Sequence, residues 1–480
     1  MKRHKQSNGK ARVANRRASV AAALGVVLAV GLVAAFWSRD PGPPVPDPDT
    51  EGMERNVAEK IASTRAVVEG DARSAAEWGR LGMVFHAHEL FAEAAICYRR
   101  ARELSDDDFR WPYLEAQALK EARELEASLE VLAAALALRP DYAPLHVLEA
   151  ELYESAGDVE RATAAYRRAL AVDDRCAPAH FGLGRASLSE GSIEDSREHL
   201  ERARELAPSS GAVRATLARL YRRLGDRDRA LEAAALAREL HPEVPLDDPT
   251  MAAVAEEAVS VVGLQSRAVT AESRGETRRA EGLLRQMIAL RPDEANLYYN
   301  LGNNLARQGR AAEAEAQYRE ALLRRPDHVA ALINLGNVLA QSGDLTGSEA
   351  LFRKALSSSP DHAGALGSLA KVALSRGDMS GAAALLERAI ESDPRRTDEH
   401  FVLGQVLRRQ GRSAASVAML ERAIELSPQR GDIHFELAVT LAEQGSFRQA
   451  WRHVHDAEAT GWQPPIEFLA ALRARMPDPG

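Results

Sequence analysis

Apolar residues recur along most of this chain at the spacing of short amphipathic helices. Leu301 and Leu305 lie four residues apart, and Tyr318 and Ala321 lie three apart, so each pair falls on one side of a helix. Gly309 separates the two segments, and glycine is a common residue where a helix ends. The pattern predicts two short helices joined by a turn. Such a helical pair needs neighbours on both sides because it cannot bury its own apolar surface.

The helical pair is repeated with a period of 34 residues, which is the interval from 292 to 326. The same interval separates the prolines at Pro292, Pro326, Pro360, Pro394 and Pro428. A fixed period of this size indicates stacked structural repeats, each of which contacts only its neighbours. The phase extends back into the N-terminal half of the chain, where Pro140, Pro208 and Pro242 fall on it.

The content of one period has a recognisable order. The residues before Pro326 are Tyr298, Leu301-Gly302, Leu305, Ala314, Tyr318 and Ala321. This order resembles the tetratricopeptide repeat (TPR), which has the pattern W-x2-L-G-x2-Y, then A-x3-F, then P. The unit near Ala75 fits best, with Trp78, Leu81-Gly82, Phe85, Ala94, Tyr98 and Ala101. The resemblance covers roughly residues 55–476 and implies an all-α fold, a right-handed TPR superhelical solenoid of about eleven helix-turn-helix repeats. The chain looks like the membrane-anchored bacterial members of this family.

The second unit fits the pattern poorly. Pro112 and Glu115 fall where a helix and a leucine are expected. Trp111 and Leu114 restore the pattern only after a slip of one residue. We therefore expect a degenerate repeat at this place.

The phase is lost once, after Pro242. Pro292 lies 50 residues further on instead of 34, so sixteen residues, 243–258, are inserted. The insertion is a bend between two solenoid lobes, a loop that folds over the inner face, or a passive spacer. A passive spacer is the simplest expectation, since loop insertions are commonly tolerated.

The first 38 residues predict a membrane segment. Residues 1–17 carry seven lysines and arginines and no acid, and residues 18–38 carry no charge. Twenty-one uncharged residues match the thickness of the hydrocarbon core of a bilayer, and basic flanks stay in the cytoplasm. We expect one transmembrane anchor and an exported body. The alternative is a signal peptide cleaved near Val33-Ala34-Ala35, although the apolar stretch is longer than a usual signal core.

The predicted organisation has seven parts. They are a basic cytoplasmic tail (1–17), a transmembrane anchor (18–38), a Pro-rich linker (39–54), an N-terminal TPR lobe (55–242), the insertion (243–258), a C-terminal TPR lobe (259–460), and a capping helix with a tail (461–480).

Composition and charge restrict the classes of function that this chain could have. The chain is 45% apolar, 28% charged and 5% aromatic, which suits helices rich in Ala, Leu, Arg and Glu. The net charge is −8, and removing the seven positive charges of residues 1–17 leaves −15 on the remainder. An acidic body argues against nucleic-acid binding. No nucleophile elbow, phosphate loop or zinc-protease motif occurs, so we expect no enzymatic activity and no cofactor.

The histidines do not predict a metal site. Four of them share one position of the repeat, six residues after a period mark: His146, His180, His400 and His434. A repeated position is packed between helices, whereas a metal needs convergent ligands. His453 and His455 lie two residues apart, and such a pair points to different faces of a helix.

The inner face of the first helices is the predicted binding surface, because TPR proteins commonly hold extended peptides or partner helices there. The seventh and eleventh residues after each period mark would line it. The predicted site consists of Tyr299, Asn303, Arg307, Ile333, Asn337, Lys371, Phe401, Gln405, Arg408 and Phe435. Aromatic rings would supply apolar contact, and amides would pair with a peptide backbone. The alternative is that the asparagines are ordinary repeat residues.

We therefore expect a non-enzymatic scaffold or adaptor that binds a protein or peptide partner. It would be a single-pass protein of the inner membrane, with the TPR body in the periplasm, or a secreted protein if the leader is cleaved. Two alternatives remain open. One is a periplasmic chaperone-like protein that presents clients to an assembly pathway, as in c-type cytochrome maturation, and the other is a regulatory subunit of a separate enzyme.

Overall fold

The computed structural model describes residues 43–479. The predicted tail and anchor, together with the first residues of the linker, lie outside the described residues. Within 43–479 the regular elements are 25 α-helices without a strand. In the same range, no helix combines the length and the apolar character that crossing a bilayer requires.

The chain divides into two compact units, with the division between Gly263 and Leu264. The helices up to the division are Arg55–Gly70 (α1), Ala75–Ala87 (α2), Phe91–Leu104 (α3), Arg110–Glu121 (α4), Leu125–Leu138 (α5), Ala143–Ser155 (α6), Val159–Val172 (α7), Ala177–Glu190 (α8), Ile193–Leu206 (α9), Gly211–Arg223 (α10), Arg227–Glu239 (α11) and Pro249–Glu256 (α12).

The second unit follows the same plan. Helix Val261–Ser273 (α13) crosses the division, and the helices after it are Thr277–Leu290 (α14), Ala295–Arg307 (α15), Ala311–Arg324 (α16), Val329–Gln341 (α17), Leu345–Ser358 (α18), Ala363–Ser375 (α19), Met379–Ser392 (α20), Thr397–Arg409 (α21), Ser413–Leu426 (α22), Gly431–Glu443 (α23), Phe447–Ala459 (α24) and Ile466–Arg475 (α25).

Each pair of helices is closed by a turn whose backbone is left-handed. Gly309, between α15 and α16, has φ 76°, a conformation that glycine adopts without steric cost. Glycines take the same conformation seventeen residues after most period marks. Glu89 (φ 63°) and Arg123 (φ 66°) occupy this place in the first two pairs, so their side chains carry a backbone penalty that glycine avoids.

Small residues let the two helices of a pair approach closely. A Cβ on Gly302 in α15 would lie 2.5 Å from the ring of Tyr318 in α16. A Cβ on Gly82 in α2 would lie 2.7 Å from the ring of Tyr98 in α3. Tyr98 and Tyr318 are 0% and 2% exposed, so these rings are the contact between the paired helices.

The degenerate second unit has a charged residue in its core. Glu115 replaces the repeat leucine and is fully buried. Its two carboxylate oxygens accept hydrogen bonds from Arg99 and Arg102 of α3, each at 3.0 Å. A buried carboxylate is tolerated when it is paired in this way. Pro112 lies in the first turn of α4, where a missing N–H removes no intrahelical bond.

The C-terminal helix covers the last pair of helices. Leu472 of α25 is buried in the same apolar cluster as Trp451 and Val454 of α24. The indole N–H of Trp451 donates to the carbonyl of Met476 at 3.1 Å. The segment predicted as a cap therefore shields apolar surface that would otherwise be exposed at the end of the second unit.

Candidate functional site

The inner face of each unit is formed by the first helices of successive pairs. In the first unit these are α2, α4, α6, α8 and α10, and in the second they are α15, α17, α19, α21 and α23. The seventh and eleventh residues after each period mark lie on these helices. This arrangement places polar side chains from neighbouring repeats side by side.

The insertion lies on the inner face of the first unit and is not a passive spacer. Its helix α12 packs against α2 and α4. Val254 of α12 is buried in the apolar cluster of the first pairs, and Met251 packs against the same cluster. A segment of the chain itself therefore occupies part of the inner face of the first unit.

Asp248 is the central polar contact of this segment. It is 8% exposed, and its Oδ1 accepts a hydrogen bond from the Tyr142 hydroxyl at 2.6 Å. The Tyr113 hydroxyl donates to Oδ2. Oδ1 also accepts from the backbone N–H groups of Thr250 and Met251 at 2.9 and 3.1 Å, which caps α12. The carboxylate thus starts the helix and attaches it to the inner face at once.

The electrostatic environment keeps the two tyrosine hydroxyls protonated. Burial, followed by the hydrogen bond to Asp248, raises the pKa of Tyr142 to about 12. Burial and the charge of Asp248 also raise the pKa of Tyr113 well above its ordinary value. Both groups are therefore hydrogen-bond donors at neutral pH, as a carboxylate acceptor requires.

The segment is held at its other end by charges. Glu257 forms ion pairs with Lys60 of α1 and with Arg80 of α2, the latter at 3.3 Å. The backbone N–H of Val261 donates to the Glu54 carboxylate at 2.9 Å. Residues 248–261 are thus attached to the N-terminal helices of the first unit, including α1 and α2.

An arginine-rich cavity lies further along the inner face of the first unit. It has a volume of about 740 Å³ and is bordered by residues of α6, α7, α8 and α10. We call it the arginine cavity, and its charged residues are Arg185, Arg219, Arg222, Arg223 and Glu154. Four guanidinium groups and one carboxylate give it a net charge of +3, although the body of the protein is acidic.

Most of these arginines have no carboxylate partner within residues 43–479. Arg185 pairs with Glu154. Arg219 donates to the Thr216 hydroxyl at 2.9 Å, and Arg222 donates to a backbone carbonyl of its own helix at 3.2 Å. Arg223 donates to the carbonyl of Leu188. Guanidinium donors that face an open cavity suit the binding of carboxylates or phosphates.

Sequence reasoning placed the binding surface in the second unit and missed this cavity. The signal was present, since Arg185 and Arg219 are the eleventh residues after their period marks. A single arginine on a helix that is rich in arginine does not by itself indicate a binding site. The cluster forms only because consecutive repeats bring the two positions together.

In the second unit, three of the predicted residues border one cavity. Ile333, Asn337 and Lys371 line a space of about 510 Å³ between α17 and α19, together with Ser368 and Arg396. Lys371 is exposed, and within the described part of the chain neither its ammonium group nor the Asn337 amide has a polar partner. This is the part of the predicted groove that is open.

Three further predicted residues are engaged with their own repeats. Tyr299 is half-buried, and its ring lies 4.9 Å from that of His328. Asn303 Oδ1 accepts from the Tyr318 hydroxyl at 2.9 Å and from Asn334 at 2.7 Å. Arg307 forms an ion pair with Glu272. These side chains already have polar or aromatic contacts within the unit.

The remaining predicted residues, Phe401, Gln405, Arg408 and Phe435, lie at the C-terminal end. The Arg430 guanidinium covers the Phe401 ring at 5.2 Å. Arg408 pairs with Glu436 and Glu443 at 2.8 and 2.7 Å, and Gln405 also donates to Glu436 at 3.4 Å. The ring of Phe435 lies 4.5 Å from that of Trp462 and 5.2 Å from that of Phe468. Phe435 therefore packs against the terminal segment rather than facing an open groove.

The histidines of the shared repeat position have a common structural role. The Nε2 atoms of His146, His400 and His434 lie 2.9, 3.2 and 3.1 Å from the carbonyls six residues before them. Their rings thereby tie the start of each first helix to the preceding proline. The indole N–H of Trp78 makes the equivalent bond to Ala72 at 3.0 Å.

Models of known protein families match the repeats of this chain. A family model described as tetratricopeptide repeat matches residues 147–211, 334–397 and 401–450, and a second with the same description matches residues 187–254. A model described as the middle TPR-like domain of cilia and flagella-associated protein 70 matches residues 264–365. No curated protein matches the chain.

Several solved structures are similar to this chain. The crystal structure of YrrB, described as a TPR protein with an unusual peptide-binding site, is 22% identical over 40% of this chain and 98% of its own, with a TM-score of 0.34. MamA from Desulfovibrio magneticus RS-1 is 22% identical over 35% of this chain and 96% of its own, with a TM-score of 0.33. The Cut9–Hcn1 structure is 15% identical over 88% of this chain and 94% of the matched chain, with a TM-score of 0.40.

Proposed function

Because this chain is a member of the tetratricopeptide-repeat family, we propose that it is a non-enzymatic scaffold whose inner face binds extended segments or helices of partner proteins. One observation carries the proposal. The chain's own residues 248–261 lie on the inner face of the first unit, held by hydroxyl donors to Asp248 and by ion pairs to Glu257. A face that holds one acidic segment has the chemistry to hold another.

The arginine cavity indicates the chemistry of the partner. It continues the inner face beyond the insertion, and it presents four guanidinium groups against one carboxylate. Arginine forms paired hydrogen bonds with carboxylates, which gives geometric specificity as well as charge attraction. The partner segment is therefore rich in Asp or Glu.

A charge-reversal experiment tests this site. The probe is a fluorescein-labelled peptide of alternating glutamate and leucine, and its binding to the full chain is followed by fluorescence anisotropy. We expect Arg219→Glu with Arg222→Glu to weaken binding by about a hundredfold, since two favourable charges become repulsive. Arg238→Glu, an exposed change on α11 away from the cavity, is the matched control and should bind like the wild type.

The same experiment contains the contrary outcomes. Binding that survives the double reversal would place the acidic segment elsewhere. Equal binding of a peptide in which lysine replaces glutamate would overturn the acidic preference and favour the chaperone-like alternative, which predicts clients of little sequence preference. Binding that falls with rising salt is expected for the glutamate probe, because exposed charges are screened.

The open cavity of the second unit is a second place for a partner segment. Asn337 would bond the backbone of a peptide there, and Lys371 would attract a carboxylate. Changing Asn337 and Lys371 to alanine should weaken binding of the glutamate probe. This loss should add to the loss caused by the changes in the arginine cavity, because the two places bind independently. A double variant that captures the probe as well as the wild type would remove this groove from the proposal.

We also propose that the body is displayed at the cell envelope by an anchor at residues 18–38. The support is the uncharged stretch behind seven basic residues. Cys97 and Cys176 are buried, so a single exposed cysteine reports topology cleanly. Ser358→Cys should react with a membrane-impermeant maleimide in intact cells, whereas Ser7→Cys should not. The reverse pattern would place the body in the cytoplasm, and a mature chain without residues 1–38 would show that the leader is cleaved.

A further inference from the structure

Three potential metal ligands converge on the last helical pair. His434 lies on α23, and His453 and Asp456 lie one turn apart on α24. His434 Nδ1 is 3.3 Å from His453 Nδ1, and His453 Nδ1 is 3.3 Å from Asp456 Oδ2. The third separation, from His434 Nδ1 to Asp456 Oδ2, is 3.8 Å. Within the part of the chain that the structure describes, this is the one such group of three.

These separations fit a common ion. Zinc binds histidine nitrogen and carboxylate oxygen at about 2.0–2.2 Å with tetrahedral geometry, which places neighbouring ligand atoms roughly 3.3–3.5 Å apart. Two of the three separations lie in this range, and the third needs only a small movement of a half-exposed carboxylate. His434 is 7% exposed, so one ligand is fixed by packing.

The surroundings also orient the first ligand. His434 Nε2 lies 3.1 Å from the Pro428 carbonyl, and this bond requires the proton on Nε2. The lone pair of Nδ1 therefore points toward His453 and Asp456. A hydrogen bond from the far nitrogen to a carbonyl is the usual support of a metal-bound histidine.

We propose that His434, His453 and Asp456 bind one divalent transition-metal ion of the zinc class. Two imidazoles and one carboxylate suit zinc and its neighbours, whereas calcium and magnesium prefer oxygen ligands alone. The Asp456 side chain is 45% exposed, so the ion has an entry path and its fourth position faces solvent. The bound ion connects α23 to α24 and strengthens the end of the second unit.

The first unit contains a natural control. His180 and His199 repeat the same arrangement, with their Nδ1 atoms 3.1 Å apart and His180 Nε2 3.0 Å from the Asp174 carbonyl. His199 follows His180 by nineteen residues, as His453 follows His434. The residue equivalent to Asp456 is Arg202, which pairs with Glu205. This pair has the two imidazoles without the carboxylate, so it is expected to bind the ion weakly.

The test is a titration of the full chain with cobalt chloride and zinc chloride after treatment with a chelator. Tetrahedral cobalt should give visible absorption bands that zinc removes, with one equivalent bound. Asp456→Asn should weaken binding by about tenfold or more, and His453→Ala should abolish the bands. His455→Ala, which removes a neighbouring histidine outside the cluster, should leave them unchanged. Circular dichroism of each variant confirms that the helices are intact.

The natural control gives a gain of function. Arg202→Asp should create a second cobalt site at His180 and His199, with a second equivalent bound. Thermal unfolding gives an independent readout, since a given concentration of zinc should raise the melting temperature of the wild type by more than that of Asp456→Asn. The proposal is overturned if the wild type gives no tetrahedral cobalt bands, or if Asp456→Asn and His453→Ala bind the ion as the wild type does.

Discussion

The Tyr142 hydroxyl donates a hydrogen bond of 2.6 Å to Asp248 across 106 residues of sequence. Tyr142 lies just before α6, and Asp248 begins α12 in the insertion. The bond therefore joins a repeat to a segment that has no place in the repeat pattern. The residues that interrupt the period are therefore bound to the inner face of the first unit.

Loss of the Asp248 carboxylate should release the insertion. Asp248→Ala removes the cap of α12, which is worth about 1 kcal/mol, together with two charge-assisted hydrogen bonds of roughly 1.5–3 kcal/mol each. We expect faster amide hydrogen exchange in residues 249–260, measured by mass spectrometry. Asp247→Ala, at the exposed neighbouring position, should leave that exchange unchanged. Protection that persists in Asp248→Ala would show that apolar packing alone holds the segment.

The first unit should lose stability in acid through His86. Burial, with a smaller contribution from Lys120, lowers the pKa of His86 to about 4 from its ordinary 6.5. The stability that neutral His86 contributes is complete above pH 6.5 and is lost as the pH falls through about 4. A difference of this size corresponds to about 3 kcal/mol.

The check is thermal unfolding of the wild type and of His86→Phe, measured at several pH values from 6.5 down to about 4. Phenylalanine keeps the edge contact with the Phe91 ring, whose centroid lies 5.5 Å from that of His86. The variant should lose less stability than the wild type over this range. Identical pH profiles would assign the acid sensitivity to other groups.

The left-handed turn at Arg123 should be improved by glycine. Arg123 has φ 66° and an exposed side chain, and this conformation costs a residue with a Cβ about 1–2 kcal/mol. Arg123→Gly should therefore raise the free energy of unfolding by about 1 kcal/mol after the greater entropy of unfolded glycine is subtracted. Urea unfolding measures the change. The reverse substitution, Gly309→Arg, should lower stability, and a lower midpoint for Arg123→Gly would contradict this account.

Two glycines on neighbouring helices should respond to alanine with opposite signs. A Cβ at Gly302 would lie 2.5 Å from the Tyr318 ring, whereas a Cβ at Gly282 meets no atom within 4 Å. Gly302→Ala should destabilise the second unit by roughly 1–3 kcal/mol through overpacking. Gly282→Ala, within α14, should stabilise it by about 1 kcal/mol because alanine favours the helix. Thermal unfolding of both variants decides the matter, and equal shifts would mean that the Tyr318 ring yields without cost.

The candidate sites were only partly accessible to sequence reasoning. The repeat position predicted that Ile333, Asn337 and Lys371 lie near one another, and they border one cavity. The same rule could not reveal that Phe435 packs against Trp462, because the terminal segment lies outside the period. The contact between His434 and His453 was accessible in principle, because the same spacing of nineteen residues joins His180 to His199.

The amino-acid sequence by itself determined the helical pairs, their turns and their spacing. The physical reason is that each pair makes its contacts with neighbours at a fixed distance along the chain, so Tyr318 meets Gly302 wherever the pattern recurs. Only the tertiary structure decided which surface the insertion covers and which polar groups gather on it. Asp248 accepts hydrogen bonds from Tyr113 and Tyr142, which lie more than a hundred residues away in the sequence. Such contacts depend on how whole repeats are placed rather than on any local pattern.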